Sequence, residues 1–322
     1  MKKNISKYKF VILVSLIFLV GCGGSSLSIA QPKNTASFQA DTKSFPPLPS
    51  PEKVENGIIV YKVRLNEDDD SSDVWIYLPE KQTKEKFPVV LIAAAGSYLW
   101  NGVSIGQGDQ AEHLPYVRIG YAVIAYETPG DLKGIDLKTI SDEKLGKSVI
   151  DFKNSKAGLI QEQNALNCAL EKVPLIDADR IYSAGHSSAA TLSLLVAANE
   201  PRVKAAIAYA PATDLEKKVA YILEPFNKAL PGYKDFIIQN SPKNNISKIK
   251  IPVFVFQAKD DSVIPFEDAK SFVTELQKSN PNVTFVTSDK GDHYDSMIQQ
   301  GIPKGIEWLN KIAFSSQSSK SK

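Results

Sequence analysis

From residue 57 onward the chain alternates between short apolar runs and longer amphipathic stretches. IIVYKV (58–63) and DVWIYL (73–78) flank the polar NEDDDSS and read as an opening hairpin. FPVVLIAAAG (87–96) is continuously apolar until its final glycine, the pattern of a strand covered on both faces of a parallel sheet. A glycine-rich loop, SYLWNGVSIGQG, follows, then a helical patch around AEHLPYVRIG and a second buried strand, YAVIAYETPG. After a polar excursion, Leu159, Leu166, Leu170 and Val173 mark one face of a helix.

The second half repeats the alternation. RIYSAG is a strand, and an Ala- and Leu-rich helix starts near Ser188. AAIAYAP and IPVFVFQ are strands, EDAKSFVTELQKS is helical, VTFVTS is a strand, and IPKGIEWLNKIAF is a terminal helix with Pro303 near its start. Strands alternating with helices predict an α/β domain with a doubly wound, mostly parallel sheet of about eight strands and helices on both faces. No internal repeat is present. Such sheets carry chemistry at the carboxyl ends of their strands.

The first 56 residues do not belong to this pattern. Lys2, Lys3, Lys7 and Lys9 precede an apolar run from Phe10 to Val20, then Gly21 and Cys22. The run is shorter than the roughly 20 residues a spanning helix needs and suits an export signal. L19-V-G-C22 resembles a bacterial lipobox, which implies cleavage before Cys22 and lipidation of its thiol. The expected division is 1–21 signal, 22–56 lipidated tether rich in Ser, Pro, Thr, Gln and Lys, 57–315 catalytic domain and 316–322 polar tail. The expected location is the bacterial cell envelope, with the bilayer as a partner through acylated Cys22. The formal net charge is +2, and four lysines precede Cys22, so the remainder is slightly acidic. With no basic stripe, zinc pattern or RNA-binding signature, a nucleic-acid partner is excluded. The second cysteine, Cys168, sits at helical spacing among apolar residues and reads as a buried, inert thiol. The acidic run Glu67 to Asp70 lacks a calcium-loop pattern and reads as a solvated turn.

The candidate chemistry centres on GHSSA (185–189). Its form is close to G-x-S-x-G, with Ala189 in place of the last glycine, and it lies where a strand gives way to a helix. A serine hydroxyl needs a base to take its proton. Ser187 is therefore either a nucleophile or the N-cap of the helix. Of the three histidines, His186 adjoins Ser187 on the turn, so its ring points away from the hydroxyl, and His113 lies in a predicted surface helix. His293, in the loop SDKGDHYDS after the last strand, is the best base. The orienting acid is sought past strand ends, where Asp261 is favoured and Asp260 and Asp214 are alternatives. The chain order Ser187, Asp261, His293 is that of α/β-hydrolases.

Three segments resemble one family. Residues 177–215 are similar to the nucleophile region of dienelactone-hydrolase-like and prolyl-oligopeptidase-like α/β-hydrolases. Residues 241–272 resemble their acid region, with Pro265 on the motif's proline and Gln257-Ala258 where His-Gly is usual. GDH (291–293) matches their G-x-H loop. The resemblance implies the α/β-hydrolase fold and a Ser187–Asp261–His293 triad without metal or cofactor. It also implies an oxyanion hole of backbone N–H groups: Ser188 together with Ser97 or Gly96, although AAAGSYLW lacks the family's His-Gly. Tyr98 and Trp100 either line the cleft or pack beneath the loop. The segment from Leu215 to Ile249 is either a small cap or a pair of crossover helices. A propeller of the kind that precedes prolyl-oligopeptidase-like catalytic domains is not expected between Cys22 and the first strand.

The expected activity is hydrolysis of a small-molecule carboxylic ester through an acyl-enzyme. Two alternatives are a peptidase or amidase with the same triad, and a non-catalytic envelope binding protein on a hydrolase scaffold, the latter motivated by AAAG and Gln257-Ala258.

Overall fold

The computed structural model describes residues 44–66, 72–81 and 85–318, with side chains to residue 313. Cys22 and the acidic run Glu67 to Asp70 lie outside the described residues. Nine strands form one sheet: β1 (Glu52–Glu55), β2 (Ile58–Arg64), β3 (Asp73–Pro79), β4 (Phe87–Ala93), β5 (Ala122–Tyr126), β6 (Ile176–His186), β7 (Val203–Tyr209), β8 (Val253–Ala258) and β9 (Val283–Ser288). Their spatial order is β1-β2-β3-β5-β4-β6-β7-β8-β9. The first three strands are antiparallel to their neighbours, and β5-β4-β6-β7-β8-β9 are all parallel. The sheet is doubly wound, as the alternation predicts.

The two faces of β4 show why its sequence is apolar throughout. Successive strand residues point to opposite sides. Val89 and Leu91 enter one core with Leu166, Leu192 and Phe152, while Val90 and Ile92 enter another with Tyr116, Tyr182 and Leu309. The first core is covered by α2 (Asp142–Asn154), α3 (Leu159–Lys172) and α4 (Ser188–Asn199), and the second by α1 (Gln110–Arg118) and α9 (Ile302–Ser318). Between β7 and β8 the chain folds as three short helices, α5 (Leu215–Lys218), α6 (Ala220–Ala229) and α7 (Tyr233–Gln239), then a 3-10 stretch; α8 (Phe266–Gln277) joins β8 to β9. No helix of the described residues is long and apolar enough to cross a membrane.

Four expectations need correction. The sheet begins at Glu52, inside the segment read as tether, because four residues of edge strand are too short to show a period. Helix α9 runs to Ser318, into the stretch read as a polar tail. The polar excursion contains α2, which is capped by the Ser141 side chain and buries Leu145, Val149 and Phe152 along one face. His113, read as a half-buried residue of a surface helix, is buried outright: it is 1% exposed against Tyr77, and burial lowers its pKa to about 4. Cys168, by contrast, is the buried thiol that its neighbours suggest, with burial raising its pKa to about 11.

One buried acid shapes stability. Glu162 on α3 is 0% exposed, and neither carboxylate oxygen has a hydrogen-bond partner among the described residues. Burial, reinforced by Glu200 and opposed by Arg202, raises its pKa from 4.5 to about 8. The folded chain therefore keeps a proton that the unfolded chain releases near pH 4.5. The resulting penalty is absent below that pH and grows as pH rises toward 8. Each pH step of one across this window costs the folded state about 1.36 kcal/mol. Glu162→Gln is thus expected to stabilise the protein by roughly 3 kcal/mol at pH 7 and by nothing measurable at pH 4. Urea unfolding at the two pH values checks this; equal effects at both would place the cause elsewhere.

Candidate active site

Ser187 stands at the end of β6 with φ 57° and ψ −117°. Positive φ in a non-glycine residue costs free energy and persists only where surroundings impose it. Here the imposition is visible on both sides. Ser187 N–H donates to Tyr209 C=O at 2.9 Å, and Ser187 C=O accepts from Thr191 N–H at 3.1 Å as α4 begins. The strand passes so close to that helix that a Cβ on Gly185 would lie 2.4 Å from the backbone carbonyl of Ala189. That close approach runs through the backbone of residue 189 and not its side chain, so alanine can replace the usual glycine there. Ser187 occupies the N-cap position of α4, but its hydroxyl makes no capping hydrogen bond there.

The loops after β8 and β9 meet beside this turn. Asp261 Oδ2 lies 2.8 Å from His293 Nδ1. Asp261 Oδ1 accepts from the N–H groups of Val263 and Ile264, both at 2.8 Å, and Oδ2 also accepts from Gln257 Nε2 at 2.7 Å. Burial alone would raise this carboxyl; the His293 hydrogen bond and the N–H groups of Ile264 and Val263 more than offset it and hold the pKa below the usual value. An ionised carboxylate only accepts, so Nδ1 carries a proton, and in the neutral imidazole Nε2 is the nitrogen with the lone pair. Gln257 thus has a use: fully buried, it ties Asp261 to Ile264 C=O at 3.2 Å. Its only mark in the sequence is its departure from His-Gly.

The alternative acids do other work. Asp260 accepts from the N–H groups of Gly291 (3.2 Å) and Asp292 (2.9 Å), bracing the histidine loop. Asp214 caps α5 through Lys217 N–H at 3.1 Å and pairs with Lys243 at 2.8 Å. Asp292, at φ 52°, accepts from His293 N–H (2.8 Å) and from Ser262 N–H (2.7 Å). Gly291 has φ 123°, and a Cβ there would lie 2.8 Å from Ser296 Cα. The loop that presents His293 is therefore fixed from several directions.

His186 turns to the other side of the strand, as its adjacency to Ser187 predicts. Its Nε2 donates to His293 C=O at 3.1 Å, its Nδ1 lies 3.5 Å from Glu112, and the two imidazole rings are 4.6 Å apart. This contact, which braces His293, had no signal in the sequence because Glu112 and His293 are distant along the chain.

The loop after β4 faces α4. Gly96 N–H and Ser97 N–H both donate to Ser188 Oγ at 3.1 Å, so the two donors that the sequence left as alternatives converge on one oxygen. Tyr98 is 42% exposed and stacks on Trp100, with ring centroids 5.5 Å apart. Trp100 is buried and meets Phe226 of α6 edge-on. Trp100 thus packs beneath the loop, Tyr98 remains open to solvent, and the 215–249 segment buttresses the loop. Among the described residues no group of three or more His, Cys, Asp or Glu is arranged to hold a metal ion.

Comparison with known proteins bears on this arrangement. The prolyl oligopeptidase family matches residues 148–318, more than half of the chain, and the X-Pro dipeptidyl-peptidase (S15) family matches residues 68–224. No curated protein sequence matches the chain. Among solved structures, an acetyl xylan esterase from Paenibacillus sp. R4 superposes with TM-score 0.60 at 14% identity, covering 95% of each chain. A Klebsiella pneumoniae protein assigned as a dienelactone hydrolase gives 0.54 at 18% identity, covering 81% of this chain and 99% of its own. The acylaminoacyl peptidase of Pyrococcus horikoshii gives 0.55 at 16% identity over 74% of this chain, which spans only 38% of that enzyme's length. These likenesses show a shared fold, and the family match gives the membership: this chain belongs to the prolyl oligopeptidase family of serine hydrolases and carries the α/β-hydrolase fold.

Proposed function

We propose that the protein is a serine carboxylesterase in which Ser187 is the nucleophile, His293 the general base and Asp261 the orienting acid. The observation that carries this reading is the Asp261–His293 hydrogen bond of 2.8 Å, held beside a serine in a strained strand-to-helix turn. In this mechanism Ser187 Oγ attacks the ester carbonyl while His293 Nε2 takes its proton. The imidazolium is stabilised by Asp261, which stays ionised throughout. His293 then protonates the departing alcohol, and the acyl-enzyme is released when water repeats the cycle through the same nitrogen. No cofactor enters these steps. Export and acylation at Cys22 belong to the same proposal, with the enzyme acting at the cell envelope.

Backbone N–H groups of Ser188, Gly96 and Ser97 are the proposed oxyanion donors. The Ser188 hydroxyl oxygen takes up the two loop donors. An incoming carbonyl oxygen has to displace it. Ser188→Ala is therefore expected to raise kcat/KM for an activated ester by up to about tenfold, since donor interactions of this kind are worth as much or more. A fall of about 100-fold would instead make the hydroxyl a contributor to catalysis.

Labelling by a fluorophosphonate probe, with mapping of the modified peptide, tests the main reading. Modification at Ser187 in the wild type, absent in His293→Ala, is the expected result. A folded wild type that stays unlabelled would favour the binding-protein alternative. The two peptidase family matches motivate an amide arm of the same experiment. Turnover of an acyl anilide at a rate near that of the matched ester would turn the reading toward a peptidase.

A further inference from the structure

His186 is the last residue of β6, and its ring reaches Glu112 of α1, on the sheet face opposite α4. Both side chains are buried, His186 at 4% exposed and Glu112 at 8%. Each ring nitrogen of His186 faces an oxygen: Nε2 donates to His293 C=O at 3.1 Å, and Nδ1 lies 3.5 Å from Glu112 Oε1. A carbonyl oxygen only accepts, so Nε2 is the nitrogen that carries a proton there. Turning the ring over would set carbon atoms against both oxygens and leave the buried Glu112 carboxyl facing a C–H group. The two contacts together therefore select one ring orientation.

The loop that presents His293 is tied to the acid loop on its amino side, where Asp260 accepts from Gly291 and Asp292 N–H and Asp292 accepts from Ser262 N–H. His186 holds the other side, through the carbonyl of His293 itself. The two imidazole rings also meet, with centroids 4.6 Å apart, and Tyr294 meets His186 edge-on at 5.8 Å. The Asp261 hydrogen bond fixes one atom of the His293 ring, Nδ1. Where Nε2 stands then follows from the placement of the backbone at residue 293, and that backbone is what His186 grips.

We propose that His186, oriented by Glu112, is a positioning residue that sets where His293 Nε2 stands as it takes the Ser187 proton. The inference rests on the triad reading above. The proton still passes between Ser187 Oγ and His293 Nε2, and His186 keeps its own. A displacement of about 1 Å at reacting groups costs on the order of 10²-fold in rate. His186 acts on the base and not on the substrate, so its loss lowers kcat and leaves KM nearly unchanged. Glu112 acts one step further back, through the His186 ring.

The test compares His186→Gln, His186→Asn and His186→Ala with wild type by p-nitrophenyl acetate kinetics, fluorophosphonate labelling rate and urea unfolding. A glutamine amide reaches the position of Nε2 and restores the donor to His293 C=O. An asparagine amide reaches only that of Nδ1 and keeps the Glu112 contact alone. The expected result is a fall in kcat of about 10- to 100-fold for the asparagine and alanine variants, with KM nearly unchanged, and recovery of most of that loss by glutamine. Labelling rates should follow the same order, which carries the test independently of the ester chosen. Glu112→Gln should lower kcat by less, and should make no further difference in the His186→Ala background. Should the alanine variant fold poorly, the two amide variants decide the matter. A folded asparagine variant as active as the glutamine one overturns the proposal, as do losses of kcat that track stability across the three variants. A rise in KM at unchanged kcat overturns it as well, by placing His186 in substrate binding. A wild type that neither labels nor turns over the ester removes the triad reading, and this inference with it.

Discussion

Ser187→Ala is expected to lower kcat for an activated ester by about 10⁴-fold or more, with fluorophosphonate labelling lost and the fold retained. His293→Ala should lose a similar amount, because nucleophile and base act as a unit. The double variant should be scarcely worse than either single one, since removing the second member takes away nothing that still functions. Asp261→Asn should fall by about 10³- to 10⁴-fold for a different reason. A neutral amide in that position can present its N–H to Nδ1 and trap the imidazole in the tautomer whose Nε2 carries the proton. Asp261 Oδ1 is bound by two backbone N–H groups and Oδ2 by Gln257 Nε2, so an amide nitrogen at either position would face a donor. Steady-state kinetics with circular dichroism on each variant check these expectations. A Ser187→Ala enzyme retaining a tenth of wild-type kcat would place the nucleophile elsewhere.

The second large effect is structural. Gly185→Ala is expected to destabilise the protein by about 3 kcal/mol, at the upper end of what overpacking costs. The new methyl would stand 2.4 Å from the carbonyl carbon and oxygen of Ala189 and 2.8 Å from Ala190 N. All three are backbone atoms of α4, so no side-chain rotation relieves the contact. The helix must shift or the turn must open, and either movement displaces Ser187. Activity should therefore fall even at temperatures where the variant remains folded. Urea unfolding and ester turnover on the same sample separate the two effects. A variant as stable and active as wild type would show that the strand and helix are not in such close contact.

Much of the fold could be read from the chain because the buried strands are continuous in sequence. FPVVLIAAAG, YAVIAYETPG and IPVFVFQ are covered on both faces, and each announces itself without reference to any other segment. The elements that escaped are those with little local signal. β1 is a four-residue edge strand whose place comes from pairing with β2. α2 has its apolar residues four and three apart, yet lysines and acids between them gave the stretch a polar look. His113 reads as a half-buried helix residue, and its full burial against Tyr77 follows from how α1 packs on the sheet.

The site divides in the same way. The nucleophile candidate was legible because a strained turn demands small neighbours next to it in the chain, and GHSSA supplies them. Among Asp214, Asp260 and Asp261 the sequence expressed a preference, since each follows a strand. Only the fold gives them separate partners: a helix N-terminus, the backbone of the histidine loop, and the imidazole itself. The brace of Glu112 on His186 and His186 on His293, and the convergence of Gly96 and Ser97 on Ser188, join residues far apart in the chain.

What the sequence determined by itself, then, is the alternation of elements, the strand-to-helix turn at Ser187 and the identity of the residues offered at strand ends. These depend on periodicity and local steric fit, which act over a few neighbouring residues. What the tertiary structure decided is which offered groups meet, how each is held, and how much room is left beside them. Those outcomes depend on distances between segments that the chain brings together only when the sheet has assembled and both of its faces are covered.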